Sequence, residues 1–293
     1  MNQQTFDRQY REYLRSVEDF LSGCFAEKPH WADLYACMRY SLLSGGKRLR
    51  PVLTLEFARL GGGDWREALP AACALEMVHT YSLIHDDLPC MDDDDLRRGK
   101  PTNHKAYGET LAVLAGDALQ PAAYELILGS GGSLSQPERL ECALLLAEAS
   151  GPHGMVAGQV LDTLHSPHTQ EELTEVHRLK TGCMIRAACA MGCAAVGAPF
   201  ALREAARIYA ENVGLAFQIR DDMLDVIGSE ETFGKPIGSD KEEGKVTFVD
   251  VLGLEGCANE IRTCTERARS AVSEIPDHAF LWTLADFLAA REK

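Results

Sequence analysis

Residues 76–95 read EMVHTYSLIHDDLPCMDDDD. Leu75, Val78 and Ser82, with Leu83 beside it, recur at three- and four-residue spacing, the period of a helix with one face against a core. The apolar run Tyr81-Ser82-Leu83-Ile84 leads straight into Asp86 and Asp87. Pro89 cannot continue a regular helix, and it pushes Leu88 away from helical geometry. The expectation is a helix that ends at Asp86-Asp87, then a bend that turns Asp92 back toward them. A solvated acidic face is the bland alternative, and the apolar approach to the acids argues against it.

Outward from this stretch the pattern stays helical, as in Leu140, Leu144 and Ala147. No run of four to eight residues alternates as a strand should. Gly and Pro gather at Gly45-Gly46, Gly61 to Gly63, Gly129 to Ser133, Gly151-Pro152, Gly197 to Pro199 and Gly234 to Gly238. These breaks divide the chain into about ten helices with no long linker. No fixed-period repeat or composition shift marks a boundary. The expected architecture is all-α, one domain over residues 1–293.

The net charge of −15 argues against a nucleic-acid binder, which needs a basic face. The ten cysteines show no CxxC or zinc spacing, so they read as unpaired thiols of a reducing compartment. The N-terminus has no apolar signal core. The longest uncharged stretch, Ala187 to Leu202, falls short of the roughly 20 apolar residues of a membrane span. The expectations are no span and a cytoplasmic location.

A second acidic motif is Asp221-Asp222-Met223-Leu224-Asp225. Asp221 and Asp225 share a helix face at a spacing of four, and Gln218 precedes them on that side. Clustered carboxylates repel one another, and a hard divalent cation relieves that repulsion. An EF-hand does not fit. Twelve positions counted from Asp86 or Asp92 end on Arg97 or Asn103, where a Glu is required.

Cations accompany the acids. Lys47-Arg48-Leu49-Arg50 sits between Gly45-Gly46 and Pro51, and Arg97-Arg98-Gly99-Lys100 follows the first motif. Lys180-Thr181, Lys235 and Lys245 lie in or beside Gly-containing breaks. Each alone reads as a surface cation. Together, Asp clusters and Arg/Lys clusters describe a site that holds phosphate. His79 lies two helical turns before Asp86 on a similar azimuth, where a core histidine is the plainer reading.

GGKRLRP, EMVHTYSLIHDDLPCMDDDDLRRGKPTNH, LKTG, FQIRDDMLD and FGKPIGSDKEEGKVTF occur in the order seen in trans-prenyltransferases of the farnesyl diphosphate synthase family. The resemblance spans roughly residues 35 to 250, and the long Asp-rich block is its most specific part. It implies an isoprenoid synthase type I-like bundle around a central substrate cavity. It also implies a homodimer and Mg²⁺-dependent condensation of isopentenyl diphosphate with dimethylallyl or geranyl diphosphate, to give (2E,6E)-farnesyl diphosphate.

By the same resemblance, Asp86, Asp92 and Asp221 bind Mg²⁺, roughly three ions with the allylic diphosphate. Asp87 and Asp225 support that shell, with Asp222 alongside. Arg97, Lys180, Thr181, Gln218, Lys235 and Lys245 hold the allylic diphosphate. Lys47, Arg50, His79 and Arg98 hold isopentenyl diphosphate. Tyr81, five before Asp86, is aromatic as in farnesyl synthases, and Ser82 beside it is small. The alternatives are a geranylgeranyl or geranyl diphosphate synthase, a class I terpene cyclase, and a non-catalytic regulatory subunit. The C-terminal fifty or so residues carry no distinctive signal.

Overall fold

The computed structural model describes residues 1–129, 134–165, 167–227 and 246–291. Its helices are α1 (Gln3–Gly23), α2 (Ala32–Leu42), α3 (Leu49–Leu60), α4 (Leu69–Asp86), α5 (Asn103–Tyr107), α6 (Glu109–Gly129) and α7 (Gln136–Ser150). There follow α8 (Met155–Leu164), α9 (Gln170–His177), α10 (Cys183–Ala194), α11 (Phe200–Ile227), α12 (Phe248–Ala271) and α13 (Ala279–Ala290). The all-α expectation holds. A two-residue hairpin, Leu96–Arg97 against Lys100–Pro101, is the sole β pairing among the described residues.

Helix α4 is central. Pro70 to Val78 are buried without a break, with Thr80, Tyr81 and Ile84 beyond, so the helix is covered on every side. It packs on α3, α6 and α10. On the α3–α10 contact, a Cβ at Gly192 would overlap the carbonyl of Thr54, so glycine there lets the two backbones approach. The charges taken into this core are paired. Glu56 accepts from Tyr13, Gln9 and Arg59. Arg48 bridges Glu18 and Glu76, at 2.7 Å each. Breaking one partner of such a pair leaves a buried charge and costs about 3–5 kcal/mol.

Two features were not given by the sequence pattern. Leu140 and Leu144 are exposed, and Cys142, Leu146, Ala149 and Ser150 are the buried residues of α7. The helical period was right, but it could not say which apolar face meets the core. Helix α6, not the 187–202 run, is long and apolar enough to cross a membrane. It packs instead on α4, α2 and α7, burying Ala112, Ala115, Gly116, Leu119, Ala123 and Ile127. The 187–202 run is the end of α10, a Gly197-centred break and the start of α11.

Candidate active site

Helix α4 ends at Asp86, with Asp87 as its C-cap. The chain then folds back, the amide of Asp92 donating to the Asp86 carbonyl at 2.9 Å. This is the bend that Pro89 implied. Burial pushes the Asp86 carboxyl up to about 6; Lys180 opposes that shift and Asp92 adds to it. Asp86, Asp92 and Lys180 are therefore electrostatic neighbours, although they come from segments far apart in sequence.

Asp87 is turned elsewhere. It is buried and receives Arg97 at 2.7 and 2.9 Å from Nε, with Nη2 at 2.5 Å. Arg97 opens the hairpin, whose turn residues Arg98 and Gly99 both have positive φ, 54° and 73°. Two successive positive φ values match the twist of a two-residue hairpin, and a non-glycine residue there stores strain. The turn aims Arg98 at the Gly45-Gly46 loop, where it donates to Ser44 Oγ and the Gly45 carbonyl. A Cβ on Gly46 (φ 122°) would lie 2.7 Å from the Arg98 guanidinium carbon.

That contact assembles one cationic cluster. Burial holds His79 well below the ordinary histidine range, and Arg50 and Arg98 add to the shift. Nε of Arg50 is buried with no hydrogen-bond partner among the described residues. Lys47 lies 5.9 Å from the ring centroid of Phe217, and Asp221 feels both it and Arg50. Burial, then Arg291, brings the Lys47 pKa down to about 8 against the pull of Asp221.

The second motif lies on α11. Asp221 pairs with Arg291 at 2.6 Å, and burial raises its carboxyl against the opposing fields of Arg291 and Lys47. The Arg291 guanidinium also stacks 3.8 Å over Phe217. Asp222 is buried on the other side and accepts from the Phe248 amide at 2.8 Å, fastening α11 to α12. Asp225 is buried, and its Oδ1 has no hydrogen-bond partner among the described residues. Gln218 is half-buried on α11, one turn before Asp221–Asp222.

Lys180 and Thr181 stand on a π-helical turn, Arg178–Gly182. Such turns concentrate at functional sites. Lys180 pairs with Asp162 of α8 at 2.5 Å. Gly158 of α8 packs so closely that a Cβ would overlap the Lys180 backbone. Lys235 and Lys245 lie outside the described residues.

Among the described residues, no three His, Cys, Asp or Glu side chains are gathered at metal-binding distance. Asp87, Asp221 and Asp222 are turned to Arg97, Arg291 and the Phe248 amide. The donor set still suits a hard divalent cation: it is all carboxylate, Asp86 and Asp92 are neighbours, and Asp225 Oδ1 is an orphaned buried acceptor. Reading from sequence missed Asp162, Phe217, Arg291 and Gln159, whose Nε2 is buried with no hydrogen-bond partner among the described residues. Phe217 opens the FQIRDDMLD motif but is an apolar residue with no role that its neighbours announce; the others are single residues outside the quoted motifs, and the fold brings them to the site.

The polyprenyl synthetase family profile matches residues 32–279. The chain belongs to that family. It is 43% identical to a farnesyl diphosphate synthase of Geobacillus stearothermophilus, with all of both chains covered. It is 42% identical to a chloroplastic geranylgeranyl pyrophosphate synthase of Capsicum annuum, over 91% of this chain and 73% of that one. Its structure resembles that of an FPP/GFPP synthase from Zymomonas mobilis with a TM-score of 0.85. That match has 34% identity and covers 98% of this chain and 99% of the other. The protein is a prenyltransferase of isoprenoid biosynthesis, a short-chain trans-prenyl diphosphate synthase acting on diphosphate substrates, in a family that generally uses Mg²⁺.

Proposed function

We propose that the chain joins isopentenyl diphosphate head to tail to dimethylallyl and then geranyl diphosphate, releasing (2E,6E)-farnesyl diphosphate. The observation that carries the product length is Tyr81. It lies five residues below Asp86 on α4, about 7.5 Å at 1.5 Å per residue. It is 7% exposed, and its ring stands edge-on to His85 at 5.8 Å. An aromatic ring at that depth stops a tail anchored at the carboxylates. The geranylgeranyl synthases among the relatives support a second reading, a C20 product, and small Ser82 leaves room for it.

Arg50, His79 and Arg98, with Lys47, hold isopentenyl diphosphate. Lys180, Thr181, Gln218 and Arg97 hold the allylic diphosphate, joined by Lys235 and Lys245. Asp86, Asp92 and Asp221, supported by Asp87, Asp222 and Asp225, hold Mg²⁺, roughly three ions, which when bound supply charge neutralisation of the diphosphate. The cationic side chains stabilise the diphosphate as it leaves with the C–O electron pair. The isopentenyl double bond attacks the allylic cation, and the proton lost from the product passes to the departed diphosphate. The apolar end of α4 keeps water from the cation. No side-chain nucleophile takes part.

The acting unit is one helical domain, residues 1–293, in a cytoplasmic homodimer. Exposed Val113, Leu114 and Leu128 of α6, with Leu140 and Leu144 of α7, supply the apolar face a second copy would cover. Incubation of the full chain with isopentenyl diphosphate, dimethylallyl diphosphate and Mg²⁺, followed by chain-length analysis, tests the reading. A C15 main product is expected; a C20 product would favour the second reading. A cyclic hydrocarbon from farnesyl diphosphate alone would overturn both.

A further inference from the structure

Tyr81 does not stand alone beneath the carboxylates. Helix α6 runs antiparallel to α4 beside it. His85 Nε2 lies 3.2 Å from the Val113 carbonyl, and Gly116 admits the same imidazole, so this part of α6 is level with the top of α4. From that level, Tyr81 is four residues down α4, about 6 Å, and Tyr124 is eight residues down α6, about 12 Å. The Tyr124 backbone is thus about one helical turn deeper than that of Tyr81. Side chains lean toward the N-terminus of their helix, which carries the Tyr124 ring up toward Tyr81 and the Tyr81 ring down toward it. The two phenols feel one another: burial, followed by Tyr124, pushes the Tyr81 hydroxyl up to about 12.

The two rings are held differently. No hydrogen bond is made by the Tyr81 hydroxyl among the described residues. Tyr124 is anchored: its hydroxyl lies 3.2 Å from Ser150 Oγ, which donates to the Leu146 carbonyl at 2.8 Å. This ties α6 to the last turn of α7. The tie sits where α6 is weakened, because Pro121, inside the helix, cannot donate to the Asp117 carbonyl. On the far side, Cys183 Sγ donates to the Ala149 carbonyl at 3.1 Å, so the end of α7 is also fastened to α10.

We propose that the Tyr124–Ser150 pair is a second stop for the growing isoprenoid tail, rooted in backbone about one turn deeper than that of Tyr81, and that it limits the product when the first stop is opened. This rests on the reading of Tyr81 as the first stop. The Tyr124 ring leans up toward that of Tyr81, so removing the Tyr81 ring should admit one further isoprene unit before the tail meets Tyr124.

The test compares four full-length enzymes, Tyr81→Ala, Tyr124→Ala, Tyr81→Ala/Tyr124→Ala and Tyr81→Ala/Tyr124→Phe, each given isopentenyl diphosphate, dimethylallyl diphosphate and Mg²⁺. Tyr81→Ala should stop mainly at C20. The Tyr124→Ala double variant should pass it, with C25 and longer products rising at least about fivefold, roughly 1 kcal/mol by the tenfold-per-1.4 kcal/mol scale. The Tyr124→Phe double variant keeps the ring but loses the tie, and should give a broadened mixture of C20 and C25. Tyr81→Ala/Tyr124→Leu replaces the alanine double variant if far-UV circular dichroism shows that one unfolded. A double variant with the same C20 limit as Tyr81→Ala would overturn the second stop and leave the first intact. A C15 limit in every variant would overturn both. Lengthening by Tyr124→Ala with Tyr81 intact would overturn the order of the stops.

Discussion

Arg291 Nη2 lies 2.6 Å from Asp221 Oδ1, so the residue that follows the last described helix is bound to the second Asp motif. Arg291 is almost fully enclosed, the Asp221 side chain is 31% exposed, and the rest of the Arg291 guanidinium covers Phe217. Replacing Arg291 by Gln leaves a half-buried carboxylate with Lys47 and Arg50 as its remaining cations. Folding stability should fall by about 1–3 kcal/mol, less than the roughly 3–5 kcal/mol of a fully buried pair because water still reaches Asp221. Urea denaturation of the two proteins measures it, and an unchanged midpoint would show that the pair is not formed in solution.

Asp86→Ala and Asp221→Ala should each lower turnover by about a hundredfold or more, the scale of losing one electrostatic stabiliser. Raising Mg²⁺ should recover part of the loss in either variant. Near-normal turnover of a folded variant would remove its motif from the metal site.

The two basic clusters should separate kinetically. Lys47→Ala should raise the KM for isopentenyl diphosphate well above that for the allylic substrate, and Lys180→Ala should do the reverse. Lys47 also predicts a pH limb. Its pKa is lowered to about 8, so its charge is present below that pH and lost above it. The kcat/KM for isopentenyl diphosphate, which reports the free enzyme, should fall as pH rises through about 8. Lys47→Arg, charged throughout, should move that limb upward; a limb unmoved by the substitution belongs to another group.

His177 predicts acid sensitivity. It stacks on Phe248 at 5.3 Å, its Nδ1 is buried with no hydrogen-bond partner among the described residues, and burial holds its pKa near 4. Between about 4 and the ordinary histidine value, the unfolded chain binds a proton that the folded chain does not. Stability therefore rises with pH across that window. The full effect is about 3 kcal/mol at 1.36 kcal/mol per pH unit. His177→Phe, measured by thermal unfolding from pH 4.5 to 7, should flatten this slope while keeping the stacked contact. An equal slope in both proteins would assign the acid sensitivity elsewhere.

Tyr81→Ala should lengthen the product while initial rates with dimethylallyl diphosphate fall little, because the short substrate does not reach the ring. A folded, active variant that still stops at C15 would place the floor elsewhere.

What could be read from sequence was what is local. The end of α4 at Asp86-Asp87, the bend at Pro89 and the break at Gly45-Gly46 each follow from neighbouring residues, although α3 begins at Leu49, two residues before Pro51. The outward face of Leu140 and Leu144 could not be read, since period alone does not distinguish a core from another apolar surface. Asp162, Phe217 and Arg291 were hidden for a different reason. Lys180 finds Asp162 across 18 residues, and Phe217 finds Arg291 across 74. What Asp87 and Asp222 hold was equally hidden: the resemblance sets them apart from Asp86 and Asp221, but their partners, Arg97 and the Phe248 amide, are met only in the fold.

The seating of the Arg98 guanidinium against Gly46 joins two segments about fifty residues apart into one modular piece. A chimera that imports the acid-rich loop from a relative inherits the imported arginine's shape but keeps the host's glycine loop, and the two must agree to within the width of a methyl group. Recombination between such synthases should therefore succeed when both segments come from the same parent, whatever the origin of the helices between them.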